Sequence, residues 1–185
     1  MRLILFSTGT LNSCFLPVWI NWMKANRADV ALRVVLSPQA TNFVSAHSIH
    51  ALSGAPVAID SWDDPVLTAE SFAPHTWLAG HDVILVYPAS LNTLSRIASV
   101  DASTPMLNAL QCTAARVVLV PNLPPGADRA PAVLALLETL RERPGTVLID
   151  PVPQPSASVA ETALVAPPIW DVFPVIDAAP ARRAA

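Results

Sequence analysis

Short, nearly unbroken apolar runs recur along the chain, and each stops at a proline, a glycine or a hydroxyl residue. Residues 2–7 (RLILFS) stop at Thr8-Gly9-Thr10, and residues 29–37 (DVALRVVLS) at Pro38. Residues 82–87 (DVILVY) stop at Pro88, and residues 115–120 (ARVVLV) at Pro121. Runs of this length without polar alternation predict strands of a parallel sheet covered on both faces. Residues 146–149 predict a last, shorter strand. Between the runs, the apolar spacing changes to that of helices. Leu16, Ile20 and Met23 mark a helix over residues 11–25, with Pro17 tolerable only near its first turn. Residues 41–52 and 90–99 predict further helices, and residues 130–143 (APAVLALLETLRER) the clearest amphipathic one.

Strands that alternate with helices predict an α/β fold, a three-layer α/β/α sandwich around a Rossmann-like or flavodoxin-like parallel sheet. Ligands of such sheets sit outside the carboxyl ends of the strands. The exits Ser7-Thr8-Gly9-Thr10, Ser37-Pro38 and Pro88-Ala89-Ser90 are therefore expected on one edge. Gly54, Pro56, Pro65 and Pro74 punctuate residues 53–74, which predict a loop with short elements. Twelve of the 19 prolines lie at or beyond Pro121, which divides the chain into an α/β domain over 1–150 and a proline-rich arm over 151–185.

Composition narrows the picture. Hydrophobic residues make up 52% of the 185 and charged residues 14%, against roughly 25% charged in ordinary domains. That excludes intrinsic disorder and points to a surface partly covered by self-association. Net charge is -3, Lys24 is the only lysine and no basic run exceeds Arg182-Arg183, so no nucleic-acid partner is expected. No segment reaches the roughly 18 uninterrupted apolar residues of a membrane span. The N-terminal run lacks a signal-peptide cleavage pattern. Two isolated thiols, Cys14 and Cys112, fit a reducing cytoplasm, and neither has a cationic neighbour in sequence to activate it.

Candidate chemistry lies at the strand exits. STGTLNS offers hydroxyls and backbone N–H groups before a helix, a cradle for an anion or phosphate; a helix start capped by Ser13 or Asn12 accounts for the same residues. In DVILVYPASLNT, small residues let a flat ring approach the backbone, while Ser90, Asn92 and Thr93 supply donors. A capped helix start is again the alternative. His47 and His50 have i, i+3 spacing but no further ligand nearby, so no metal site is expected. His81 starts a strand. Asp60, Asp63 and Asp64 read as an exposed, solvated turn. Trp62, Trp77 and Trp170 are candidates for a peptide groove or for the core.

The strand-plus-PASLNT segment resembles the PASANT motif of the homo-oligomeric flavin-containing cysteine decarboxylases, which include lanthipeptide and phosphopantothenoylcysteine decarboxylases. Only Leu91 differs, and the resemblance spans most of residues 1–143. It implies FMN or FAD as cofactor, with Gly9, Thr10, Leu11, Ser37, Phe43, Pro88, Ala89, Ser90, Asn92 and Thr93 as flavin contacts. It implies that His75, 13 residues before Pro88, is the acid–base or orienting catalytic residue. Two motifs depart from the family. Pro124 stands where the family's Pro-x-Met-Asn asparagine would be, leaving Asn122 two residues away as the substitute, and Ser103-Thr104 replaces an Asp-Asn pair.

The activity so implied is oxidative decarboxylation of the C-terminal cysteine of a ribosomally made precursor peptide. Two electrons pass to the flavin, a thioaldehyde forms, and loss of carbon dioxide leaves an enethiolate for aminovinyl-cysteine formation. The arm after Asp150 would clamp the peptide, and the assembly would be a homotrimer or homododecamer. Two alternatives stand beside this one. A non-catalytic flavin-binding regulatory protein draws on Pro124. A phosphopantothenoylcysteine decarboxylase is disfavoured by the absence of cysteine after Cys112.

Overall fold

The apolar runs assemble into one six-stranded parallel sheet, in a computed structural model that describes residues 1–68, 80–156 and 159–178. Its strands are β1 (Arg2–Ser7), β2 (Ala31–Leu36), β3 (Val57–Ile59), β4 (Val83–Ser90), β5 (Arg116–Asn122) and β6 (Thr146–Leu148), in the order β3-β2-β1-β4-β5-β6. The described helices are α1 (Leu16–Asn26), α2 (Ala46–Ser53), α3 (Pro65–Thr68), α4 (Leu91–Ala98), α5 (Pro105–Cys112), α6 (Pro131–Arg141) and α7 (Ile169–Ala178).

Alternation along the strands explains why both faces need cover. Ile4, Phe6, Ile84, Val86 and Leu119 bury toward α3, α4, α5 and α6, where they meet Leu67, Leu94, Ile97, Leu107 and Leu140. Leu3, Leu5, Leu85, Tyr87 and Val118 bury on the opposite face against Leu16, Ile20 and Met23 of α1, Ile49 of α2 and Ile169, Val172 and Phe173 of α7. This is the expected three-layer α/β/α sandwich. Strand order reverses between β1 and β4, the topological switch point where ligands of such sheets bind.

Several elements differ from expectation. The first helix is split: a 3-10 turn over Leu11–Phe15 precedes α1, and Pro17 sits in the first turn of α1. A proline ring clashes with the carbonyl four residues earlier, so a continuous α-helix from residue 11 is blocked. Neither Asn12 nor Ser13 caps α1, whose N-cap is Phe15. β4 runs on through Pro88-Ala89-Ser90 after a register shift beyond Val86, pairing Ala89 with Pro121 and Ser90 with Asn122. Proline is tolerated in a central strand at such an irregularity. α5 was not anticipated; Thr104 caps it by accepting from Leu107 N–H, and Pro105 opens its first turn, the usual N-terminal pairing.

The tail departs most. The extended arm is replaced by an antiparallel hairpin, β7 (Val152–Pro155) with β8 (Thr162–Val165), and by α7. Prolines are accommodated because the ribbon has only two strands, while Ile169, Val172, Phe173 and Ile176 form a helical apolar stripe buried in the main core. Leu123 N–H donates to Leu164 O (2.7 Å), and the buried Tyr87 hydroxyl donates to Pro167 O (2.8 Å), which ties hairpin and linker to β5 and β4. Arg27 completes the attachment, paired with Asp177 at 3.1 Å and stacked 4.3 Å from the centroid of the Phe173 ring.

Candidate active site at the strand exits

The carboxyl ends of β1, β2, β4 and β5 open onto a cleft of about 680 Å³ at the β1/β4 switch point. Its floor is stitched by Thr8, a buried residue between the first two exit positions. The Thr8 hydroxyl donates to Pro88 O (2.8 Å) and accepts from Ser90 N–H (2.8 Å), which locks the β1 exit to the β4 exit. Ser13, also buried, donates to Thr8 O at 2.6 Å. Ser37 N–H donates to Ser7 O (2.9 Å), which aligns the β2 exit with the other two. Each such bond contributes on the order of 1 kcal/mol, so the three exits form one rigid edge.

Gly9 is required by close approach. A Cβ built on it would lie 2.5 Å from the Cβ of Gln39. Ser90 caps α4, its hydroxyl accepting from Thr93 N–H at 3.2 Å and lying 3.0 Å from the Thr93 hydroxyl.

Of the residues expected here, Gly9, Thr10, Leu11, Ser37, Ser90, Asn92, Thr93 and Asn122 line the cleft. Pro88 and Ala89 are buried behind its wall and do not line it. Phe43 stands outside the lining on an exposed turn after β2. His75 and Trp77 lie outside the described residues. Asn122 reaches the cleft from the end of β5, but its Oδ1 accepts from Ala166 N–H at 3.2 Å, so part of its amide anchors the segment after the hairpin.

Asp60 and Arg96 were not anticipated as cleft residues, and among the described residues they are the charged side chains that line it. Of the exposed turn expected around Trp62, Trp62 and Asp63 are exposed, but Asp60 and Asp64 are buried. Asp60 is 4% exposed and accepts from the Thr104 hydroxyl (2.7 Å) and Met106 N–H (2.8 Å). Burial pushes its carboxyl above the ordinary range, opposed by those two bonds and the Arg96 charge. Asp64 is also buried, accepting from Val66 N–H (2.9 Å), Leu67 N–H (3.1 Å) and Ile59 N–H (3.0 Å). Carboxylates so placed satisfy helix-start donors rather than solvent. The missed signal was position: Asp60 directly follows a short apolar strand and is a further strand exit.

Arg96 pairs with Asp101 at 2.7 Å and donates to the Ser103 hydroxyl. Trp62 is exposed and donates to Ser103 O at 2.8 Å, and Trp170 packs 6.1 Å from Trp22; neither lines the cleft. Cys14 and Cys112 are both exposed and unpaired by disulfides. His47 and His50 are exposed on α2, and among the described residues no metal-binding group of His, Cys, Asp and Glu is formed. No described helix is long and apolar enough to cross a membrane.

The donor set suits a ligand with one anionic end and a planar apolar body. Hydroxyls and first-turn N–H groups surround the α4 start. Phe6, Leu91, Leu107 and Leu123 supply apolar wall. The volume lies within the roughly 300–1,000 Å³ of small-molecule sites.

Comparisons with known proteins agree with this chemistry. The cypemycin cysteine dehydrogenase (decarboxylating) of a Streptomyces species is 30% identical over 158 residues, covering 85% of this chain and 80% of that one. The crystal structure of TvaF, an FMN-dependent cysteine decarboxylase from thioviridamide biosynthesis, superposes with a TM-score of 0.73 at 25% identity, over 95% and 94% of the two chains. The bifunctional coenzyme A biosynthesis protein CoaBC of Mycobacterium bovis is 31% identical over 125 residues, 67% of this chain but only 28% of that longer protein. A family model described as Flavoprotein matches residues 1–177, reaching through the hairpin and almost to the end of α7. With the switch-point cleft, this match shows that the chain belongs to the Flavoprotein family.

Proposed function

We propose that this chain is a flavin-dependent peptidyl-cysteine decarboxylase that oxidises and decarboxylates the C-terminal cysteine of a precursor peptide. The observation that carries the reading is the donor-lined cleft at the β1/β4 switch point, in a chain whose relative of nearly equal span is a decarboxylating cysteine dehydrogenase. FMN is favoured as cofactor by the FMN-dependent structural relative. When bound, the flavin supplies a two-electron acceptor beside the substrate thiol.

The chain's own residues bind and orient. Thr10, Ser37, Ser90 and Thr93, with the first-turn N–H groups of α4, hold the cofactor's anionic end. Asn122 offers its amide Nδ2 toward the cleft, because the opposite atom, Oδ1, is held by Ala166 N–H. The hairpin contributes Gln154, Ala163 and Val165 to the cleft wall, a position suited to holding the peptide and excluding water. His75 is the group proposed to take the thiol proton on its imidazole nitrogen. Leu11 and Phe15 line the cleft and remain 48% and 51% exposed, with Val18 beside them at 58%. Cover from further copies of the chain, in a trimer or dodecamer, accounts for that apolar strip in a chain with few charges.

The purified protein should carry flavin absorbance, and a peptide ending in cysteine should lose carbon dioxide and two hydrogens by mass. Failure to take up flavin defeats the proposal. Turnover of phosphopantothenoylcysteine without turnover of peptide moves the chain to the coenzyme A branch, and a flavin-loaded protein inert toward both is a regulatory flavoprotein. His75→Asn should abolish turnover and spare flavin binding.

A further inference from the structure

Two helix N-termini meet at the cleft, and they are not equivalent. At the start of α4, Thr93 N–H is taken by the Ser90 hydroxyl, while the N–H groups of Leu91 and Asn92 have no acceptor within the helix. At the start of α5, every early position is spent. Pro105 has no N–H, Met106 N–H donates to Asp60 Oδ1 at 2.8 Å, and Leu107 N–H donates to the Thr104 hydroxyl at 3.4 Å. The second Asp60 oxygen accepts from that same Thr104 hydroxyl at 2.7 Å. Both carboxylate oxygens thus accept hydrogen bonds, which favours the ionised form against the cost of burial, and the side chain is 4% exposed. Arg96 is the nearby cation, but it is shared with Asp101 and Ser103.

An anion entering the cleft therefore meets unequal ends. At α4 it finds free N–H groups and neutral hydroxyls, which favour it. At α5 it finds a helix start already neutralised by a carboxylate, which repels it. We propose that Asp60 is a positioning residue that sets the direction in which an anionic cofactor lies in the cleft, by closing the α5 start and leaving α4 with the β1 exit as the locus of the anionic group. This rests on the flavin reading above and adds to it a residue that acts by exclusion. Asp60 directly follows the edge strand β3, so the sheet's periphery controls the polarity of its centre.

Comparing FMN with riboflavin isolates the phosphate. Asp60→Asn keeps the shape and both contacts, since the asparagine Oδ1 accepts from Met106 N–H and its Nδ2 donates to the Thr104 hydroxyl. Removing the charge should raise the affinity ratio of FMN over riboflavin by about fivefold in fluorescence titrations. Thr104→Val, which retains the charge and loses one bond, should leave the ratio unchanged. A purely structural role for Asp60 would weaken both flavins equally and refute the proposal, as would an equal shift of the ratio in Thr104→Val. Hydrogen exchange of the unaltered protein gives an independent reading. The extra protection from FMN over riboflavin should fall on residues 8–13 and 90–94, and extra protection at 104–108 overturns the proposal. If the unaltered protein binds neither flavin, the flavin reading fails; if it binds both and the ratio does not respond, only the role of Asp60 fails.

Discussion

Replacing Gly9 by alanine adds one methyl group at the narrowest point between the β1 and β2 exits. The new Cβ would lie 2.5 Å from Gln39 Cβ and 3.3 Å from the Gln39 carbonyl carbon. Carbon atoms prefer separations of about 3.5–4.0 Å, so the two exits must part by roughly 1 Å. Rotation of the Gln39 side chain gives no relief, because its Cβ is fixed by the backbone. Nor can Gly9 retreat freely. Its neighbour Thr8 is bonded to Pro88 O and Ser90 N–H, and Ser37 N–H is bonded to Ser7 O. Overpacking at such a site costs about 1–3 kcal/mol. Gly9→Ala should therefore lower the stability measured by urea unfolding by about that amount. If the strain falls on the cleft instead, flavin affinity drops by about tenfold for each 1.4 kcal/mol. Urea titration and flavin fluorescence on one protein preparation capture both terms. Unchanged stability together with unchanged flavin affinity would show that the exits are not held as described.

Other changes test other parts of the fold. Val100 is a β-branched residue at φ 59°, 67% exposed, a conformation that costs roughly 1–2 kcal/mol; Val100→Gly should raise the urea midpoint, with a net gain of about 1 kcal/mol or less after the added chain entropy of glycine. Phe173→Ala should remove about 3–5 kcal/mol, because its ring is 2% exposed in the main core; a loss below that of a surface substitution would return α7 to the status of a detachable arm. Asp29 beside Arg27 and Asp101 beside Arg96 are both held down to about 2 from an ordinary 3.8 by hydrogen bonds from their arginines. Their contribution is thus complete above about pH 4 and disappears as the pH falls toward 2. Acid titration of Arg27→Gln should show a shallower loss across that window than the unaltered protein.

Much of this fold is written locally. Residues 2–7, 82–87 and 115–120 carry no polar alternation, and that single property marks them as interior strands. The exits at Gly9-Thr10, Ser37 and Ser90 follow directly, and the structure brings them to one cleft. What escaped the sequence depends on partners far along the chain. Asp60 looks solvated until α5 sets the Thr104 hydroxyl and Met106 N–H against it, whereas Asp64 is held by its near neighbours Ile59, Val66 and Leu67, a local helix-start pattern. Thr104-Pro105, a capping residue followed by proline, is itself a helix-start signal, but the family resemblance marks Ser103-Thr104 only as a departure from a motif. Proline density hid β7, β8 and α7, because composition overshadowed the spacing of Ile169, Val172, Phe173 and Ile176. Asn122 lines the cleft, but its bond to Ala166 N–H depends on a segment whose proline content reads as an extended arm.

The placement of β1 at the middle of the sheet has a consequence for how the chain is made. Its partner on one side, β2, follows within a few dozen residues, whereas the other, β4, does not begin until Val83. During synthesis, β1 and β2 can pair early while the far edge of β1 stays bare, presenting Leu3, Ile4, Leu5 and Phe6 beside unpaired backbone groups. Long-range parallel pairing is intrinsically slow, and exposed strand edges of this kind invite aggregation. The amide of Arg2 and the carboxylate of Asp82, 2.7 Å apart once folded, mark the point where that edge is sealed. Production of this protein should therefore respond to translation speed and chaperone supply more than its small size suggests, and a stall before residue 83 should be more harmful than one after residue 122.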